Sequence, residues 1–94
     1  MKKADKKSII IKYRQYLKLE KSLSANTVEA YLTDLDKLFA FLELESIHFT
    51  EVTLENLETF SAGLRDIGIN PRSQARILSG IRSFFRFLLL EDYI

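Results

Sequence analysis

Catalytic chemistry in this chain would have to come from a short inventory of side chains. There is one histidine, His48, and no cysteine. Nucleophilic catalysis needs an activated group beside a base, and His48 lies between Ile47 and Phe49 with no partner in the local pattern. The sequence has no Gly-rich phosphate loop, no HExxH, no GxSxG and no paired cysteine ligands. A zinc site would have to rest mainly on carboxylates, which is unusual, and the acids fall on faces expected to be solvated. The expectation is therefore a non-catalytic chain with no metal, no cofactor and no small-molecule substrate. What remains is basic and short polar. In NPRSQARILSGIRSFFRFLLL (residues 70–90), Arg72, Arg76, Ser79, Ser83 and Arg86 recur at helical spacing, with Gly80 at the edge of the stripe and no acid in it. Arginines and hydroxyls donate to phosphate oxygens, so the stripe is a candidate contact for a nucleic-acid backbone. The same pattern fits an ordinary amphipathic helix with solubilising arginines.

The elements that would position these groups read as four helices. Asn70 is a cap and Pro71 suits the first helical position. Ile77, Leu78, Ile81, Phe84, Phe85 and Leu88 form the apolar face behind the Arg/Ser stripe. A first helix spans about residues 8 to 20, with Ile9, Ile10, Tyr13, Tyr16 and Leu17 on one face. Ser24 caps a second, about residues 26 to 43, buried through Val28, Tyr31, Leu32, Leu35, Leu38, Phe39 and Leu42. Asn26 and Thr27 sit in its first turn, and its other side carries Thr27, Ala30 and Thr33, short enough to let a helix come close to base edges, with the cation Lys37 at the far end; taken by itself the pattern is that of a plain solvated face. Thr53 caps a third helix that ends near Asp66, with Gly68 as the stop. It is acidic outside and serves packing. No strand periodicity or internal repeat appears. The expected fold is all-α, a compact four-helix bundle.

Ninety-four residues suit one domain with one core. Residues 1–7 are expected to be a flexible basic tail. No apolar run approaches the roughly 20 residues of a membrane span, the short segment Ile9 to Ile11 is no signal peptide, and the lack of cysteine points to a reducing compartment. A cytoplasmic location is the expectation. Residues 1–21 carry eight Lys/Arg against two acids, residues 22–71 two against nine, and residues 72–94 four against two. An anionic partner would approach from the side of the basic ends.

Two stretches together resemble a known family. Tyr16 to Leu42, with Leu23-Ser24, Thr27, Tyr31, Asp34-Leu35, Phe39 and Phe41, is similar to the opening of the tyrosine recombinase/phage integrase family, especially its Xer-like members. Arg72 to Ile94 resembles the last helix of the same domain, and Thr53-Leu54-Glu55-Asn56-Leu57 the helix start between them. The resemblance runs from about Ile9 onward. It implies a SAM-like core-binding domain, an orthogonal four-helix bundle forming the N-terminal half of a clamp on duplex DNA, with the second and fourth helices facing the DNA. Carried over, the contact positions are Asn26, Thr27, Ala30 and Thr33 on one helix and Arg72, Ser73, Arg76, Ser79 and Gly80 on the other, with Ser83 and Arg86 extending the stripe. Arg82 falls nearer the core flank and is expected to serve a salt bridge. The resemblance also implies that the strand-breaking apparatus belongs to a C-terminal domain absent from this chain. Tyr93 is not its nucleophile, and His48 matches no catalytic position. Implied partners are a double-stranded recombination half-site and other recombinase subunits, with weak, salt-sensitive DNA binding by the domain alone. A helical protein-interaction module assisting recombinase assembly, or a stand-alone DNA-binding regulator, are the alternatives.

Overall fold

A computed structural model describes residues 5–94. Its regular elements are α1 (Lys6–Gln15), α2 (Ala25–Leu44), α3 (Leu54–Asp66) and α4 (Pro71–Leu90). α1 continues into one π-helical turn, Tyr16–Glu20, and a 3-10 turn, Phe49–Glu51, precedes α3. The all-α, four-helix expectation holds among the described residues.

Each helix starts on a side-chain cap. Ser24 accepts the Thr27 N–H at 3.2 Å and Asn70 accepts the Ser73 N–H at 2.9 Å, with Pro71 following. At α3 a reciprocal box forms, Thr53 Oγ1 taking the Asn56 N–H and Asn56 Oδ1 the Thr53 N–H. The first start differs from expectation. Asp5 Oδ1 accepts the Ser8 N–H at 2.8 Å, so Lys6 and Lys7, expected in the tail, form the first turn of α1. A carboxylate at a helix N-terminus is favoured by the dipole, and Lys6 is held further by Glu43, 3.0 Å away. Residues 1–4 of the expected tail lie outside the described residues.

α2 and α4 share the broadest seam, with α3 also packed on α4 and α1 on α2. The aromatic centre is Phe84, fully buried, with its ring 5.2 Å from Tyr13, 5.8 Å from Phe39 and 6.2 Å from Phe49. One α4 side chain thus ties α1, α2 and the 3-10 turn together. Phe87, absent from the apolar face expected for α4, is also buried, its ring 5.2 Å from Tyr13 and 5.1 Å from Tyr16. The inward face of α4 is therefore rotated toward Gly80 and Phe87, because Tyr13 of α1 and Tyr16 of the π turn pack on that flank.

Candidate nucleic-acid interface

The Arg/Ser stripe of α4 divides once its neighbours are in place. Arg72, Arg76, Ser79 and Arg86 are exposed. Gly80 is buried, a correction to its expected place at the stripe's edge: its carbonyl lies 3.5 Å from the Tyr13 hydroxyl. Ser83 is half-buried and accepts from the Tyr13 hydroxyl at 3.1 Å. Burial pushes the Tyr13 hydroxyl up to about 12, although its bond to Ser83 acts the other way. Both corrections have the cause given for Phe87, the packing of α1. Ser73, at the third helical position, is half-buried, with its N–H donated to the cap.

Arg76 meets α2. Its Nε donates to Asp34 Oδ2 and its Nη2 to Asp34 Oδ1, both at 3.2 Å. Asp34 is only 3% exposed, whereas the Arg76 side chain stays 60% exposed. Lys37 Nζ adds a third cationic contact at 3.7 Å from Asp34 Oδ1. The fork uses two of the guanidinium's five N–H groups and fixes its plane, so the remaining donors face away from the carboxylate. The pair couples the two helices across the seam. A second acid of α2, Glu29, is neutralised by Arg14 of α1.

The short-side-chain face of α2 is mostly open. Asn26, Ala30 and Thr33 are exposed, and Thr27 is half-buried, its hydroxyl accepting from Ser24 Oγ at 2.9 Å. Asn26, Ala30, Thr33 and Lys37 recur every three or four residues and so share one side of the helix. The α2 face and the α4 stripe meet at the Asp34–Arg76 pair.

A recess of about 320 Å³ opens between the π turn, its link to α2, α2 itself and α4. Lys21, Leu23, Tyr31, Ser79, Arg82, Ser83 and Arg86 are among its lining residues. Lys21 and Arg82 were not among the contact positions drawn from sequence. Arg82, expected in a salt bridge, makes none among the described residues. A local signal for Arg82 existed, since it is three residues from Ser79 and four from Arg86 on α4. Lys21 had none, because its approach depends on the π turn, where its N–H bonds to the Tyr16 carbonyl at 3.2 Å. His48 stacks on Phe49 and bonds Thr50 Oγ1 at 2.7 Å. No cluster of three or more His, Cys, Asp or Glu among the described residues could hold a metal, and none of the helices there is long and apolar enough to cross a membrane.

The phage integrase N-terminal SAM-like domain family model matches residues 10–92. Tyrosine recombinase XerD of Staphylococcus saprophyticus subsp. saprophyticus is 41% identical over 87 residues, which is 92% of this chain and 30% of that protein. Tyrosine recombinase XerD of Haemophilus ducreyi is 43% identical over 93 residues, 99% of this chain and 30% of its own length. Tyrosine recombinase XerC of Leptospira interrogans serogroup Icterohaemorrhagiae serovar copenhageni is 38% identical over 84 residues, covering 88% and 27%. The chain thus spans less than a third of the length of these curated relatives. No solved structure matches it.

Proposed function

The chain belongs to the phage integrase N-terminal SAM-like domain family, and from that premise we propose that it binds duplex DNA as the positioning half of a tyrosine recombinase. α2 and α4 face a recombination half-site. Arg72, Arg76 and Arg86 contact phosphates or guanine edges, Asn26, Thr27, Thr33, Ser73, Ser79 and Ser83 add short hydrogen bonds, and Ala30 leaves room for close approach. Gly80 lies buried beneath that face, where a Cβ would meet open space. The intact protein breaks and rejoins DNA strands through a separate catalytic domain, acts with other recombinase subunits, and works in the cytoplasm.

The observation that carries this reading is the pairing of the acids. Asp34 and Glu29, which would repel a phosphate backbone, are matched by Arg76 with Lys37 and by Arg14. Arg72, Arg82, Arg86 and Lys21 make no ion pair among the described residues. Asp36 of α2 stays exposed without an ion pair among the described residues, and the α4 side of the surface is cationic and short-chained, as a groove-facing surface has to be.

A second reading has its own observation. A mainly apolar recess of about 430 Å³ lies between α3 and α4, lined by Leu54, Leu57, Leu78, Ile81 and Phe85 with Glu58, Ser61 and Arg82 at its polar edge, and it fits a helical protein-interaction module. An NMR titration with a mixed-sequence duplex separates the two. DNA binding predicts shifts concentrated in residues 26–33 and 72–86 that weaken as salt rises. Unchanged spectra at low salt would reject it and favour the interaction module.

A further inference from the structure

We propose that the recess between the π turn and α4 seats one backbone phosphate of the duplex, held by Lys21, Arg82 and Arg86. This rests on the DNA-binding reading and adds Lys21 and Arg82 to it. The three cations come from two separate segments, and the lining contains no carboxylate. Among the described residues none of the three is ion-paired, in contrast to Arg14 and Arg76, each held by an acid. Lys21 also stands 6.0 Å from the centre of the Tyr16 ring, a cation–π distance that ties its side chain to the π turn.

Two hydroxyls complete the seat. Ser79 is exposed on its wall. Ser83 already accepts the Tyr13 proton, which leaves its own O–H free to donate into the recess. Leu17, Leu23 and the Tyr31 ring supply an apolar floor, and low-dielectric walls concentrate the field of the cations above them. A volume of about 320 Å³ admits a phosphodiester with its water. Phosphate contacts fix register without reading sequence. The seat therefore sets where the chain sits along the duplex, and the short side chains of α2 and α4 are left to meet base edges.

The test measures duplex affinity against salt for Lys21→Gln, Arg82→Gln and Arg86→Gln, with Lys7→Gln, an exposed cation outside the recess, as comparator. Each recess variant is expected to lower the slope of log K against log salt by about 1, equally for unrelated duplex sequences, with the comparator unchanged. Thermal melts check that every variant is folded. Recess variants with the wild-type slope, in a wild-type chain that binds DNA, would remove the seat and leave the DNA-binding reading standing. A comparator that loses as much as the recess variants would replace the seat with diffuse attraction. A wild-type chain that binds no duplex at low salt would overturn both. Inorganic phosphate, titrated alone, that shifts the Arg82 and Arg86 Nε signals while duplex does not would assign the recess to free phosphate instead.

Discussion

Tyr13 shows how a single side chain constrains the surface above it. Its hydroxyl is buried, donates to Ser83 and is pushed up to about 12 by loss of solvent. In the unfolded chain the phenol returns to the ordinary tyrosine value near 10. Below that value both states hold the proton and stability is insensitive to it. Between about 10 and 12 the unfolded chain releases the proton while the folded one retains it, so stability falls as pH rises through this window. Denaturant melts of the wild-type chain and Tyr13→Phe at neutral and alkaline pH check this. The variant should lose less stability on going alkaline, and equal losses would assign the effect elsewhere. Tyr13 was legible as an inward residue from its spacing with Ile9, Tyr16 and Leu17. Its partners Gly80 and Ser83 were not, because they lie 67 and 70 residues away. The same holds for Arg76, whose phosphate-like partner Asp34 is 42 residues distant. Asp34 nevertheless left a trace: it stands next to Leu35 and within helical reach of Tyr31 and Leu38, on the inward half of α2, where an acid needs a partner.

Helix starts and helix ends were not equally readable. Starts depend on a side-chain acceptor, so Ser24, Thr53 and Asn70 announce themselves; only Asp5 was hidden among lysines. The ends share one device. Ser46, Gly68 and Asp92 take positive φ, and the next residues Ile47, Ile69 and Tyr93 bond back to the carbonyls of Leu42, Leu64 and Leu88. The π turn ends the same way one residue wider, with Ser22 at φ 54° and Leu23 N–H bonded to the Leu17 carbonyl. Only Gly68 carried the expected residue; at the others, contacts of the following apolar side chain with the core impose the left-handed conformation on serine or aspartate. That conformation costs an L-residue about 1 kcal/mol. Ser46→Gly should therefore stabilise the chain by up to about 1 kcal/mol, a rise in Tm of about 4–8 °C for a domain of this size. Gly68→Ala should lower it by a similar amount, since a Cβ there meets open space and the cost lies in the backbone. Calorimetry of the two variants reads both signs, and a Ser46→Gly chain no more stable than wild type would mean that serine is unstrained there.

At the scale of the whole molecule, a net charge of +1 conceals opposed fields. Lys21, Arg82 and Arg86 surround the recess, whereas most acids belong to the middle of the chain, including exposed Glu45 and Glu51. The principal extents are 35, 29 and 18 Å, so the range of the field relative to the molecule depends on salt. At about 0.01 M the Debye length is near 30 Å and acids anywhere on the surface act on a duplex at the recess; at about 0.15 M it is near 8 Å, shorter than the thinnest dimension, and only neighbouring charges count. Glu45 and Glu51 line no part of the recess and make no ion pair among the described residues. The double change Glu45→Gln, Glu51→Gln should therefore tighten duplex binding several-fold at low salt and leave it unchanged near physiological salt. Loss of a recess cation should weaken binding at both, since direct contact with a phosphate is screened far less than attraction across the molecule. Affinity measured at the two salt concentrations separates the local seat from the global field. A gain from the glutamine pair that persists at high salt would put those acids beside the bound DNA and turn the binding face toward the 3-10 turn.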